Sequence, residues 1–137
     1  MIIDGTDLIL GRLAAFAVKR ALEGEQVIVV NCEKIIVSGR KEVTFADYKE
    51  KIDRGNPFKG PFYSRMPDRL TRRTIRGMLP HKRERGRLAF KRVMCYLGVP
   101  EEYKDKKLET IKGISSEKLK NIRYITLKEL SANFGKK

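Results

Sequence analysis

The sequence predicts an α/β fold of three layers, Rossmann-like, around a mostly parallel sheet of about four strands, with two basic helices between the second and third core strands. Three observations lead there. Strand, helix and strand patterns follow one another within the first 31 residues, the arrangement of a right-handed βαβ crossover. The second strand, Gln26-Val27-Ile28-Val29-Val30-Asn31, is a continuous β-branched run, which suits a strand covered on both faces. Further strand patterns then recur downstream, separated by helical ones, as in layered α/β chains.

Residues 1–4 open as a short apolar strand, and Gly5-Thr6-Asp7 is turn-like. Over residues 9–23 the apolar positions Leu10, Leu13, Ala14, Ala17 and Ala21 recur at helical steps, and Gly24 stands where a helix C-cap belongs. Residues 32–37 read equally as a helical turn or a short strand. Ser38-Gly39-Arg40-Lys41 is a turn, and residues 44–53 form a helix with Phe45, Tyr48, Lys49 and Ile52 on one side. The stretch 55–67 holds three prolines, two glycines and no helical period, so it is a long loop, a kind often functional in compact domains. Residues 93–97 read as a third strand stopped by Gly98 and Pro100. The polar stretch 101–116 is a connecting excursion, with Ser115-Ser116 capping a turn at 117–121. Residues 122–126 read as a last strand and 127–134 as a closing helix.

A chain of 137 residues, 41% hydrophobic, supports one core, so residues 1–137 are expected to form a single domain. No run of 18 apolar residues is present, so no membrane partner is expected, and the N-terminus lacks a secretory pattern. Cys32 and Cys95 stand apart in apolar runs and read as small buried hydrophobes in a reducing compartment, which points to a cytosolic chain. With one histidine and no Cys-x-x-Cys, neither a metal nor a cofactor is expected.

Charge is concentrated. Residues 54–92 carry 13 Lys/Arg against two acids, Asp68 and Glu84, while residues 1–53 are near neutral, and the whole chain is +14. Such a block requires a polyanion to neutralise it. Its order is helical: Arg69, Arg72, Arg73 and Arg76 fall within an arc of about 100° on one face, with Leu70, Ile75 and Met78 opposite and Leu79 at the border. Asp68 reads as the N-cap and Pro80 as the stop. In the next run Arg83, Arg87 and Lys91 recur at steps of four, with Ala89, Phe90 and Val93 as the apolar flank. The two helices join at residues 79–81. Guanidinium groups suit phosphate because their planar fork can engage two oxygens. Candidate RNA contacts are therefore Arg69, Arg72, Arg73 and Arg76 on one helix, then His81, Lys82, Arg83, Arg85 and Arg87, with Arg40, Lys41, Lys59 and Arg65 at the margins.

Catalytic patterns fail. Gly5 and Gly11 are spaced by five residues, not four, and Arg12-Leu13 replaces the Lys-Ser/Thr of a P-loop. The G-x-G-x-x-G pattern is absent as well, so Gly11 reads as a packing or turn glycine. His81 lies among cations without a carboxylate partner in sequence, a phosphate or packing contact rather than a base. The rival reading is a nucleotide- or RNA-directed enzyme on a Rossmann-like sheet. Among polyanions, a membrane would call for a larger apolar face, and duplex DNA for a helix-turn-helix, finger or zipper that is not present. RNA fits best, since Phe58, Phe62 and Tyr63 of the loop could stack on unpaired bases or else pack the loop onto its own domain. No common RNA-binding module is recognised.

The motifs Leu10-Gly11-Arg12-Leu13-Ala14, Ser38-Gly39-Arg40-Lys41, Arg76-Gly77-Met78-Leu79-Pro80-His81-Lys82 and Gly86-Arg87, with the strand at 93–98 and the segment 122–135, cover nearly the whole chain. Together they closely resemble the universal family of large-subunit ribosomal protein thirteen in its short, archaeal-like form. The chain differs from the bacterial pattern in lacking an N-terminal extension and in its C-terminal third. The resemblance implies a three-layer α/β fold around a parallel sheet and no enzymatic activity or small-molecule substrate. It implies large-subunit ribosomal RNA and neighbouring ribosomal proteins as partners, with the chain a monomer within the ribosome.

Overall fold

The computed structural model describes residues 1–135 of the chain. In order these form β1 (Ile2–Asp4), α1 (Leu10–Leu22), β2 (Val27–Val30), β3 (Ile36–Ser38), α2 (Lys41–Asp53), α3 (Pro67–Met78), α4 (Glu84–Lys91), β4 (Val93–Cys95), α5 (Glu101–Lys104), β5 (Tyr124–Thr126) and α6 (Leu127–Gly135). Single 3-10 turns lie at Cys32–Lys34 and Ser116–Lys118.

The α/β frame and its parallel sheet are as expected. β2 is the middle strand, parallel to β1 with Ile2 opposite Ile28, and parallel to β4 with Val27 opposite Val93. All four residues of β2 are buried, which is why its sequence is uniformly β-branched. The fourth expected strand, however, does not join this sheet. β5 pairs antiparallel with β3, Val37 opposite Ile125, so the ambiguous stretch after residue 32 resolves into a 3-10 turn followed by a strand. A physical reason is visible at the sheet's outer edge. Asp4 N donates to Glu109 O at 3.0 Å and Glu109 N to Ile2 O at 2.8 Å, so the polar excursion already occupies the edge of β1.

α1 buries Leu10, Leu13, Ala14, Ala17 and Ala21, and its small residues let α3 and α4 pack against it. α3 answers with Leu70, Thr71 and Ile75; Thr71 satisfies its buried hydroxyl on Pro67 O at 2.9 Å. α2 begins at Lys41, three residues earlier than the periodicity suggests, because Gly39 at φ +124 turns the chain directly ahead of it. Only Thr44 of α2 is buried, and the helix is tethered by aromatic contacts, Phe45 edge-on to Phe134 and Tyr48 edge-on to Tyr63. Cys32 and Cys95 are free and buried, as expected for structural thiols. A hydrogen bond with Cys32 and burial push the Cys95 thiol far above the usual range, which keeps it protonated.

The carboxyl end of a parallel sheet is where α/β enzymes hold nucleotides. Here that end is filled by the chain itself. The Asp4 carboxylate accepts from Asn31 Nδ2 at 2.9 Å, Thr6 N at 3.0 Å and Thr6 Oγ1 at 2.7 Å. Burial raises the Asp4 pKa, but these hydrogen bonds outweigh it and leave the group below its ordinary value. A Cβ on Gly5 would stand 2.8 Å from Ile35 Cγ1 and 2.9 Å from Val30 O, so Gly5 is required by packing.

Candidate nucleic-acid interface

α3 starts one residue before the expected cap. Met66, extended at φ −78 and ψ 138, precedes Pro67 at the first helical position, where a missing N–H costs nothing. Asp68 is therefore a first-turn acid rather than the N-cap, and its Oδ1 is buried without a hydrogen-bond partner. Leu70, Thr71, Ile75 and Leu79 face the core, whereas Met78, read from the pattern as inward, is 45% exposed in the last turn.

The arginines of α3 divide. Arg69, Arg73 and Arg76 are exposed. Arg72, at the margin of the arc, is half-buried, its Cζ 4.5 Å from the ring centroid of Phe90 on α4, and its Nε is buried without a hydrogen-bond partner. This cation–π contact joins the two basic helices and makes Arg72 a packing residue as much as a surface one. Arg73 lies over Tyr63, with Cζ 4.2 Å from the ring centroid.

The connection between α3 and α4 is tight. His81 N donates to Leu79 O at 2.8 Å and Arg83 N to Pro80 O at 2.9 Å. Gly86 is buried directly under this turn: a Cβ there would stand 2.1 Å from Pro80 O. The His81 ring is half-buried, its Nδ1 3.4 Å from Leu79 O, so it serves the turn. Lys82, Arg83, Arg85 and Arg87 are exposed along the turn and the outer face of α4. Among the described residues, no carboxylate lies within 4.0 Å of any of these cations or of Arg69, Arg72, Arg73 and Arg76. The ion pairs that do form involve other cations, such as Arg20 with Glu23 and Glu25.

The marginal positions differ in kind. Arg65 Nη1 donates to Phe134 O at 2.7 Å, fixing the loop to α6. Lys41 Nζ is 3.3 Å from Glu129 Oε2 in an exposed pair. Arg40 is exposed, and both residues line a separate cleft beside Arg123 and Tyr124. Lys59 is exposed at the tip of the loop, which folds on itself through Gly60 N to Asn56 O at 2.7 Å. That turn holds Phe58 91% and Phe62 75% exposed, whereas Tyr63 packs inward on Tyr48. Of the three loop aromatics, two are presented to a partner and one is structural.

The fold also gathers cations that the linear pattern does not connect. An open cleft of about 820 Å³ between the start of α1, the end of α2 and the outer side of α3 is lined by Arg12, Lys51, Arg54 and Arg73, with no carboxylate in its wall. These residues lie 61 positions apart at the extremes, and no local spacing marks them as one group.

Compared with known proteins, residues 1–102 match the family described as Ribosomal protein L13. The chain is 46% identical over 135 residues to the large ribosomal subunit protein uL13 of Archaeoglobus fulgidus, covering 98% of this chain and 86% of that protein. It is 44% identical over 137 residues to the uL13 of Methanosarcina barkeri, covering 99% and 98%, and 44% identical over 135 residues to that of Haloarcula marismortui, covering 98% and 90%.

Proposed function

The chain belongs to the ribosomal protein L13 family, large-subunit ribosomal proteins that are not enzymes, and from that premise we propose that it binds large-subunit ribosomal RNA through the α3–α4 surface and supports subunit assembly. Residues 1–137 act in this reading as one RNA-binding domain, present as a single copy beside neighbouring ribosomal proteins. The observation that carries it is the set of exposed cations Arg69, Arg73, Arg76, Lys82, Arg83, Arg85 and Arg87, displayed on packed helices with no carboxylate of the chain beside them. Left unneutralised, such a surface repels itself; phosphates remove the repulsion. Arg72 and His81 support it from within, and Arg40, Lys41, Lys59 and Arg65 flank it. Contacts of this type set position and leave recognition to the shape of folded RNA.

A chemical footprint tests this reading. Arginine modification by phenylglyoxal, followed by mass spectrometry, is compared between the free chain and the chain in large-subunit particles. Arg69, Arg73, Arg76, Arg83, Arg85 and Arg87 are expected to react freely in the first case and to be protected in the second. Equal reactivity in both would place the RNA elsewhere.

A further inference from the structure

We infer that the cleft lined by Arg12, Lys51, Arg54 and Arg73 takes one unstacked nucleotide of the bound RNA, its phosphate among the cations and its base against the tyrosine wall. This inference rests on the RNA-binding reading and deepens it. At about 820 Å³ the cleft falls within the size range of small-ligand sites. Its wall carries cations from three helices and no acid; Arg54 alone has a local partner, Glu50, one turn earlier on α2. Tyr48 and Tyr63 form the apolar side, with Lys51 Nζ 4.9 Å from the first ring centroid and Arg73 Cζ 4.2 Å from the second. Positive charge beside aromatic rings is the combination that holds single-stranded nucleic acid, because every base offers a face and every residue a phosphate.

Gly11 adds an independent observation. It lies in the first turn of α1 at the cleft, has no positive φ, and a Cβ there would meet no atom within 4 Å. Nothing inside the protein requires glycine at this helical position, whereas close approach of another backbone would. α1 begins without a side-chain cap or a first-turn acid, so its leading amides remain available on the same side. The expected packing role of Gly11 is thus corrected; Gly5 has that role.

The chemistry of a nucleotide has two sources, a residue of RNA or a free mononucleotide, and the test separates them. Large-subunit ribosomal RNA containing 4-thiouridine is photocrosslinked to the full chain and the adducts are mapped by mass spectrometry. In parallel, RNA affinity is measured for Arg12→Glu, Lys51→Glu and Gly11→Ala, none of which touches the α3–α4 surface, and uridine monophosphate is titrated into the free chain. Adducts are expected on the peptides bearing Tyr48 or Tyr63. Each charge reversal should weaken RNA binding about tenfold and remove the adduct. Gly11→Ala should weaken binding while leaving the melting temperature unchanged or higher. Wild-type binding with no adduct in the cleft and full affinity in Arg12→Glu would overturn the inference and leave the helical surface standing. Failure of the wild-type chain to bind RNA at all would instead overturn the RNA-binding reading and this inference with it. Saturable micromolar binding of uridine monophosphate, lost in Arg12→Glu and without an RNA adduct, would overturn the RNA source in favour of a free nucleotide.

Discussion

Replacing Arg69, Arg73 and Arg76 together by glutamate is expected to lower affinity for large-subunit ribosomal RNA by at least about 250-fold near 0.1 M salt. Each phosphate contact contributes a slope of roughly 0.7 to 0.9 in log affinity against log salt, so between 1 M and 0.1 M one contact is worth roughly sixfold and three about 250-fold. Reversed charge then adds repulsion. The same variant should melt within a few degrees of wild type, because all three side chains are exposed and none has a carboxylate within 4.0 Å among the described residues. Arg72 is left out of the set on purpose. Its guanidinium packs on Phe90, and a glutamate there would stand one helical turn from Asp68, whose Oδ1 is already buried without a hydrogen-bond partner. Including it would mix lost packing with lost binding. Filter binding beside a circular dichroism melt separates the two effects: unchanged affinity would show that α3 does not meet RNA, and a collapsed melt would make these arginines structural.

Gly86→Ala is expected to be the most damaging small substitution in the basic region. The new Cβ would stand 2.1 Å from Pro80 O, 2.3 Å from Pro80 C and 2.9 Å from His81 N. All three are backbone atoms of a turn held by its own hydrogen bonds, so no flexible side chain can give way. Overpacking of this kind costs roughly 3 kcal/mol, which in a domain of this size lowers the melting temperature by roughly 10 °C. Since α4 must move off the turn, Lys82, Arg83, Arg85 and Arg87 would lose their register with α3, and RNA affinity should fall as well. Gly77→Ala is the control. No atom lies within 4 Å of its Cβ position, and alanine is the better helix former, so the melt should hold or rise. Equal melts for Gly86→Ala and wild type would contradict the packing described for the α3–α4 turn.

Much of this was legible from local order. The βαβ start is carried by Leu10, Leu13, Ala14, Ala17 and Ala21 at helical steps and by a strand in which every residue is apolar, signals that no neighbouring element needs to supply. The two basic helices were legible for the same reason. Residues 122–126 show the limit. A short strand pattern says that a segment will pair and leaves its partner open, and here the partner is β3, because Glu109 already satisfies the edge of β1. Arg72 shows a second limit: a helical wheel places it on the charged arc, and only the approach of α4 brings Phe90 beneath it. Arg12, Lys51 and Arg54 show the third. Their shared cleft exists only once α1, α2 and α3 are assembled, and the one local trace of it is a glycine in a helix with open space around it. The loop aromatics follow the same logic, since exposure of Phe58 and burial of Tyr63 depend on the turn at Asn56 and on Tyr48, two contacts outside the reach of composition.

The central claim is that binding is made by phosphate neutralisation on a preformed helical surface. Affinity of the full chain for large-subunit ribosomal RNA, titrated from low to high monovalent salt, tests it most directly. With roughly six phosphates neutralised, log affinity should fall linearly with log salt at a slope near about −4 to −5, flattening by about two units in the Arg69, Arg73 and Arg76 variant. A slope near zero, or one that the triple substitution leaves untouched, would contradict it.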